Sequence, residues 1–277
     1  MRKSIDCVCF SLNDFSEIHC EMAERMVISL RKKNKHIQIF CLYSGKNKIF
    51  LKRLELLNVI VIITKLTFES HVNNSRKLNE SEKEIATGAY LMVDIPLHIS
   101  NKRTALYVDC DVIFLDRFSI SNVPSLDDNF SLGACSERNW EDSFLLNYFN
   151  TGFVVFDILK MQNSYDRFVS HIIDKDFDFI AYDQGAINEF YCNQIMALPD
   201  SYNYKPYWLR KIEFDKAKVL HFHGLKPVHM KRILFENDYR FLESHKDLID
   251  IIEEWGSKGD LIKDIKFLID IYDSNSC

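Results

Sequence analysis

Two carboxylates, Asp109 and Asp111, interrupt the apolar stretch ALYVDCDVIFLD at residues 105–116. An unpaired buried charge is costly, so such groups either meet solvent or hold something positive. In an extended strand, residues i and i+2 face the same way. At the carboxyl end of a sheet, where ligands of open α/β folds bind, the pair would repel unless a cation sat between them. Hard oxygen ligands favour Mg²⁺ or Mn²⁺, ions that commonly bridge to phosphate oxygens. Three readings fit the pair alone: a solvated loop, a phosphatase with Asp109 as nucleophile and Asp111 as acid/base, or a metal cradle for a nucleoside diphosphate. A nucleotidyltransferase would use the same two groups.

Further along lie other polar groups at the ends of apolar segments. Asn150-Thr151-Gly152 precedes the apolar run FVVF. Asp183-Gln184-Gly185 opens a helical pattern, and His221-Phe222-His223-Gly224-Leu225-Lys226-Pro227 follows a late strand pattern. They supply amides, a carboxylate, an imidazole and an ammonium, the groups a diphosphate and sugar site requires.

The elements that must position them follow from periodicity. Strands are expected at Ile5–Phe10, Ile37–Tyr43, Val59–Ile63 and Thr104–Val108, the last delivering Asp109. The run Val59–Ile63 is apolar throughout, as expected of a strand covered on both faces. Helices are expected between these strands. The first is announced by the capping-box spacing of Asp14 and Glu17 and continued by Ile18, Met22, Met26 and Leu30. The second covers Lys48–Leu57, and the third covers Glu80–Leu97 despite Gly88. This β-α-β-α-β-α-β order is the signature of a largely parallel sheet with helices on its faces. Strands at Ser131–Cys135, Phe153–Phe156 and Val219–Phe222 follow, with helices at Ser164–Ile173 and Tyr182–Tyr191. From His229 the pattern predicts helices packed on the core.

Composition narrows the class. The 277 residues are 47% hydrophobic and 27% charged with a net charge of −5, as in ordinary globular proteins. That balance argues against a nucleic-acid partner. No run approaches the roughly 18–20 apolar residues of a membrane helix, and no signal peptide is evident, so a cytoplasmic location is expected. Acidic residues in the tail argue against lipid anchoring and leave at most peripheral contact with the inner face of the membrane. The eight cysteines include no C-x-x-C pair and read as reduced thiols.

The ordered set LYVDCDVIF, YFNTGFVVF, YDQGAIN, LPDSYNY and LHFHGLKP, spread over Ile5–Pro227, resembles glycosyltransferase family 8. That family includes galactosyl- and glucosyltransferases of bacterial surface glycans and glycogenin. The resemblance implies a GT-A fold: a Rossmann-like, mainly parallel mixed sheet with helices on both faces, spanning 1–228, with a helical extension over 229–277. It implies a Mn²⁺-dependent (or Mg²⁺-dependent) enzyme that transfers a hexose from a UDP-sugar to a glycan or lipid-linked saccharide, as in lipopolysaccharide or capsule synthesis, with retention of configuration.

By the same resemblance, Asp109, Asp111 and His221 hold the metal. Asp183 and Gln184 lie beneath the transferred sugar. The donor set comprises Asn13, Asp14, Phe15, Asp109, Cys110, Asn150, Thr151, Gly224 and Lys226, with Lys226 meeting the diphosphate. Asn139, Trp140 and Glu141 fall on the acceptor side.

Departures from the family pattern are specific. Where relatives carry an Asp after the first strand, this chain has FSLNDF; Asn13 or Asp14 would read the base and Phe15 would stack on it. Tyr90 stands near the family's arginine. A single residue, Leu225, separates Gly224 from Lys226, where the family has two, and Val228 replaces a tryptophan. Given these departures, a catalytically silent sugar-nucleotide binder is a further alternative.

Overall fold

The computed structural model describes residues 4–14, 16–138, 144–209, 213–240 and 258–275. Phe15, Asn139, Trp140 and Glu141 therefore lie outside the described residues, as does much of the expected helical tail.

A seven-stranded mixed sheet forms the centre, in the order β3-β2-β1-β4-β7-β6-β8. Its strands are β1 (Cys7–Asn13), β2 (Gln38–Ser44), β3 (Val59–Ile63), β4 (Thr104–Val108), β6 (Leu132–Arg138), β7 (Phe144–Asp157) and β8 (Ile195–Leu198). Strands β1, β2, β3 and β4 run parallel to one another. Strand β7 is antiparallel to both β4 and β6, and β8 is parallel to β6. A separate antiparallel pair joins β5 (Val112–Phe114) to β9 (Val219–His221).

The pleat sorts side chains between two cores. Cys7, Cys9, Ala105 and Tyr107 face one core; Val8, Phe10, Leu106 and Val108 face the other. Helices α1 (Glu17–Lys33) and α2 (Lys48–Leu56) pack on the second face, while α4 (Glu80–Tyr90), α6 (Ile158–Asp174) and α7 (Asp183–Phe190) cover the first. Short α3 (Glu69–Asn73) and α5 (Ile95–His98) complete that side. A third apolar cluster joins α8 (Pro227–Glu236) and α9 (Lys258–Asp273) to β5, β9 and α1. Arg25 of α1 lies 4.4 Å over the Tyr272 ring of α9. Among the described residues no helix is long and apolar enough to cross a membrane.

Several expectations need correction. Strand β3 is not covered on both faces: it ends the sheet order, and Ile63 is 67% exposed. Nor does Asp14 cap α1. Ser16 is the N-cap, without a side-chain bond, because the Asp14 carboxylate is taken by the Tyr43 hydroxyl and the Lys46 N–H. The helix expected over Glu80–Leu97 breaks into α4, a 3₁₀ turn at Leu91–Asp94 and α5. Pro96 stands in the first turn of α5, where its missing N–H costs nothing.

Candidate active site

Chemistry gathers at the carboxyl end of β4. The chain leaves β4 at Val108 and re-enters extended structure at Val112, so Asp109, Cys110 and Asp111 form the bridge between the two sheets. On one side the Asp109 N–H donates to the Gly152 carbonyl of β7 (3.1 Å). On the other, Val112 is the register partner of His221, and the Phe222 N–H donates to the Asp111 carbonyl (2.9 Å). Sheet pairing thus delivers His221 to the two carboxylates. Its Nε2 lies 3.2 Å from Asp111 Oδ1 and 3.7 Å from Asp109 Oδ2.

These three side chains offer one ligand atom each within 4.8 Å of one another, the one such cluster among the described residues. The donor set fits a hard divalent cation. The backbone is shaped for it too. A Cβ on Gly152 would lie 2.3 Å from His221 Cε1, so only glycine lets β7 approach the ring this closely.

Charge is unevenly shared. Burial and the neighbouring carboxylates of Asp111 and Asp183 push Asp109 above the usual carboxylate range. Burial would also raise Asp111, but contact with Lys226 and His221 holds it well below. The Lys226 ammonium touches Asp111 Oδ2 and also donates to the Phe222 carbonyl (3.1 Å). The turn that brings Lys226 there passes through Gly224, whose φ of 80° suits glycine.

A second group of the expected residues sits beside this cluster. Ala181 and Tyr182 adopt left-handed backbone (φ 53° and 52°) and turn sharply into α7. Gly185 packs so tightly on that turn that a Cβ would meet the Ile180 carbonyl at 2.4 Å. Asp183 and Gln184 therefore start α7 against β7. Burial raises Asp183 to about 7, although a hydrogen bond from the Thr151 side chain opposes the rise. Gln184 Oε1 accepts from Asn150 Nδ2 (2.9 Å) and from the Thr151 N–H (3.3 Å).

A cavity of about 310 Å³ is lined by Ser11, Asn13, His19, Asp109, Asp111 and Lys226, among others. Cys110, Gly88 and Ala89 also border it. Asn13 continues into a larger polar cavity of about 490 Å³ with Asp14 on its wall; that cavity contains none of the metal-ligating groups. Tyr90 is not at the site's surface. It packs in the core against Phe68 and Phe177, and Gly88 and Ala89 of the same helix face the cavity instead.

Some site residues were not singled out from sequence. His19 enters the cavity from α1, and Tyr107 donates to Asp109 Oδ1 (3.1 Å). Beneath the cluster, Asn203 accepts from His221 Nδ1 (2.7 Å) and donates to Asn150 Oδ1 (2.7 Å). Asn150 donates to Glu137 (2.8 Å), whose other oxygen contacts the fully buried Lys205 ammonium. The motif LPDSYNY carried a signal for Asn203 and Lys205, since both lie in or directly after it.

The fold has known counterparts. The galactosyltransferase LgtC, solved in complex with donor and acceptor sugar analogs, superposes with a TM-score of 0.62 at 17% identity, over 91% of this chain and 99% of that one. The glycosyltransferase GlyE of Streptococcus pneumoniae TIGR4 gives 0.61 at 18% identity, over 93% of this chain and 64% of its own. The bifunctional WbbM gives 0.56 at 17%, over 95% and 51%; this chain thus spans about half of WbbM. No curated protein sequence matches. The family model for glycosyl transferase family 8 matches residues 13–230, from the end of β1 into α8. With that match, a GT-A-type sheet and a D-x-D cluster at its carboxyl edge, the chain belongs to glycosyl transferase family 8 and is a glycosyltransferase.

Proposed function

We propose that the chain transfers a hexose, with retention of configuration, from a UDP-sugar held through Mn²⁺ to a glycan or lipid-linked saccharide. The observation that carries this reading is the clustering of Asp109, Asp111 and His221, with Asp109, Asp111 and Lys226 lining one cavity. In this reading residues 1–228 are the transferase domain and 229–277 an extension of it.

Asp109, Asp111 and His221 would hold the metal, which when bound supplies positive charge to the diphosphate. Lys226 adds an ammonium for the charge that develops on the departing diphosphate, where fixed electrostatics are most effective. The donor loop Asn13–Phe15 and Thr151 border the nucleotide and sugar. Asp183 hydrogen-bonds sugar hydroxyls and Gln184 lies near the anomeric carbon. Asn150, its amide engaged by Glu137, Gln184, Gly152 and Asn203, supports the sugar site from beneath. A retaining glycosidase uses a carboxylate nucleophile. Gln184 is an amide, a poor nucleophile, and its oxygen already accepts two hydrogen bonds. Transfer from one face follows. The bond from the anomeric carbon to the phosphate oxygen breaks, and its electron pair leaves with the diphosphate. The acceptor oxygen bonds to the same face, and its proton passes to a phosphate oxygen.

The test is turnover of UDP-hexoses with Mn²⁺, followed by NMR of the product anomer. Retained configuration with UDP release supports the reading. Phosphate release without any acceptor, through an Asp109 adduct, would refute it.

A further inference from the structure

The hydrogen-bond chain beneath the site has a direction, and its far end is charged. Lys205 is fully buried, Glu137 is 8% exposed, and their ammonium and carboxylate are in contact. Neither residue touches the candidate metal ligands. We propose that Glu137 and Lys205 are positioning residues that set the polarity of the amides Asn150 and Asn203, and so hold His221 as the tautomer protonated on Nδ1, with the Nε2 lone pair turned toward Asp109 and Asp111.

Lys205 engages Glu137 Oε1, so Oε2 can only accept, whichever of Nζ and Oε1 carries the shared proton. The Asn150 amide points its NH₂ at Glu137 (2.8 Å), and its second N–H donates to Gln184 Oε1 (2.9 Å). Its oxygen then points the other way and accepts from the Gly152 N–H (2.9 Å) and from Asn203 Nδ2 (2.7 Å). With its NH₂ committed, Asn203 turns its oxygen to His221 Nδ1 at 2.7 Å. An amide oxygen cannot donate, so Nδ1 carries the proton. Reversing Asn150 sets its NH₂ against the Gly152 N–H and Asn203 Nδ2, and reversing Asn203 sets its oxygen against Asn150 Oδ1, in a buried site where an unsatisfied polar group is expensive. Partners of this kind, which orient a metal-binding histidine from behind, typically change metal affinity 10- to 100-fold when removed.

This inference rests on reading His221 as a ligand, but its primary test needs neither metal nor turnover. Long-range ¹H–¹⁵N correlation spectra of histidine-labelled protein, at pH 8 with EDTA, report which imidazole nitrogen carries the proton; His221→Gln assigns the signal. Wild type should show His221 protonated on Nδ1. In Glu137→Gln, Lys205 takes the new amide oxygen and leaves an NH₂ facing Asn150; the Nδ1-protonated form should diminish and Mn²⁺ affinity should fall about 10- to 100-fold. In Glu137→Gln/Lys205→Met the glutamine is free to rotate and present oxygen to Asn150, so tautomer and Mn²⁺ affinity should recover. A merely structural ion pair predicts no tautomer change in folded protein. Should Glu137→Gln not fold, Asn203→Ala cuts the same chain and should also release the tautomer. Protonation of wild-type His221 on Nε2, or an unchanged tautomer in the folded variants, overturns the proposal. The expected tautomer without any Mn²⁺ binding would uphold it and refute the metal reading instead.

Discussion

Gly152 lies so close to His221 that a Cβ there would come within 2.3 Å of Cε1 and 2.6 Å of Nδ1. The contact ties the strand that pairs with β4 to the imidazole facing Asp111. Gly152→Ala must displace the ring or the strand. Overpacking of this kind costs about 1–3 kcal/mol. Chemical denaturation should show that loss, and Mn²⁺ titration of the folded variant should show weaker binding than wild type. Unchanged affinity would mean that the ring position is not critical.

Lys226 and Asp111 form a mostly buried ion pair when no metal is bound. Lys226→Met leaves the buried Asp111 carboxylate without its ammonium partner. Breaking a buried pair in this way costs on the order of 3 kcal/mol. The sign with pH follows from Asp111, whose carboxyl is held well below its ordinary range. A depressed carboxylate contributes stability above its unfolded value of about 4, and that contribution fades as pH falls through the folded value. The difference between wild type and Lys226→Met, measured by denaturation in EDTA, should therefore be large at pH 7 and shrink below about pH 4.

Asp183 has the opposite sign. Burial raises it to about 7, so the folded state binds a proton that the unfolded state has released. That contribution is complete below pH 4 and disappears as pH rises through 7. Asp183→Asn keeps the shape without the ionisation. In EDTA it should melt above wild type at pH 8, with the gap closing toward pH 4. Under turnover conditions the same variant should lose activity at every pH, because the hydrogen bonds to sugar hydroxyls proposed for Asp183 would change.

The local part of this site was legible in the sequence. Asp109, Asp111, Asp183, Gln184 and His221 each sit next to an element boundary, and Asn150 lies inside β7 beside an apolar run, so each motif could be read in a window of about ten residues. Relationships set by tertiary pairing were not. The apolar run of β3 looks like a central strand, and only the sheet order makes it an edge. Strands β5 and β8 are three and four residues long, too short for a periodic signal. Asp14 and Glu17 have capping-box spacing, yet Tyr43 claims the Asp14 carboxylate from 29 residues away. Glu137 and Lys205 meet across 68 positions, and Asn150 and Asn203 across 53. No local pattern announces such pairs.

The central claim is that Asp109, Asp111 and His221 hold a nucleoside diphosphate through a divalent cation. Thermal unfolding with UDP and Mn²⁺, with and without EDTA, tests it on wild type and Asp111→Asn. A ligand that binds only the folded state stabilises it by about 2.7 kcal/mol at a hundredfold excess over its Kd, which raises Tm by roughly 5 °C for a chain of this size. The account predicts that rise in wild type, its loss in EDTA and its absence in Asp111→Asn. A shift that survives EDTA or the substitution would contradict it, as would no shift with UDP, GDP, CDP or ADP.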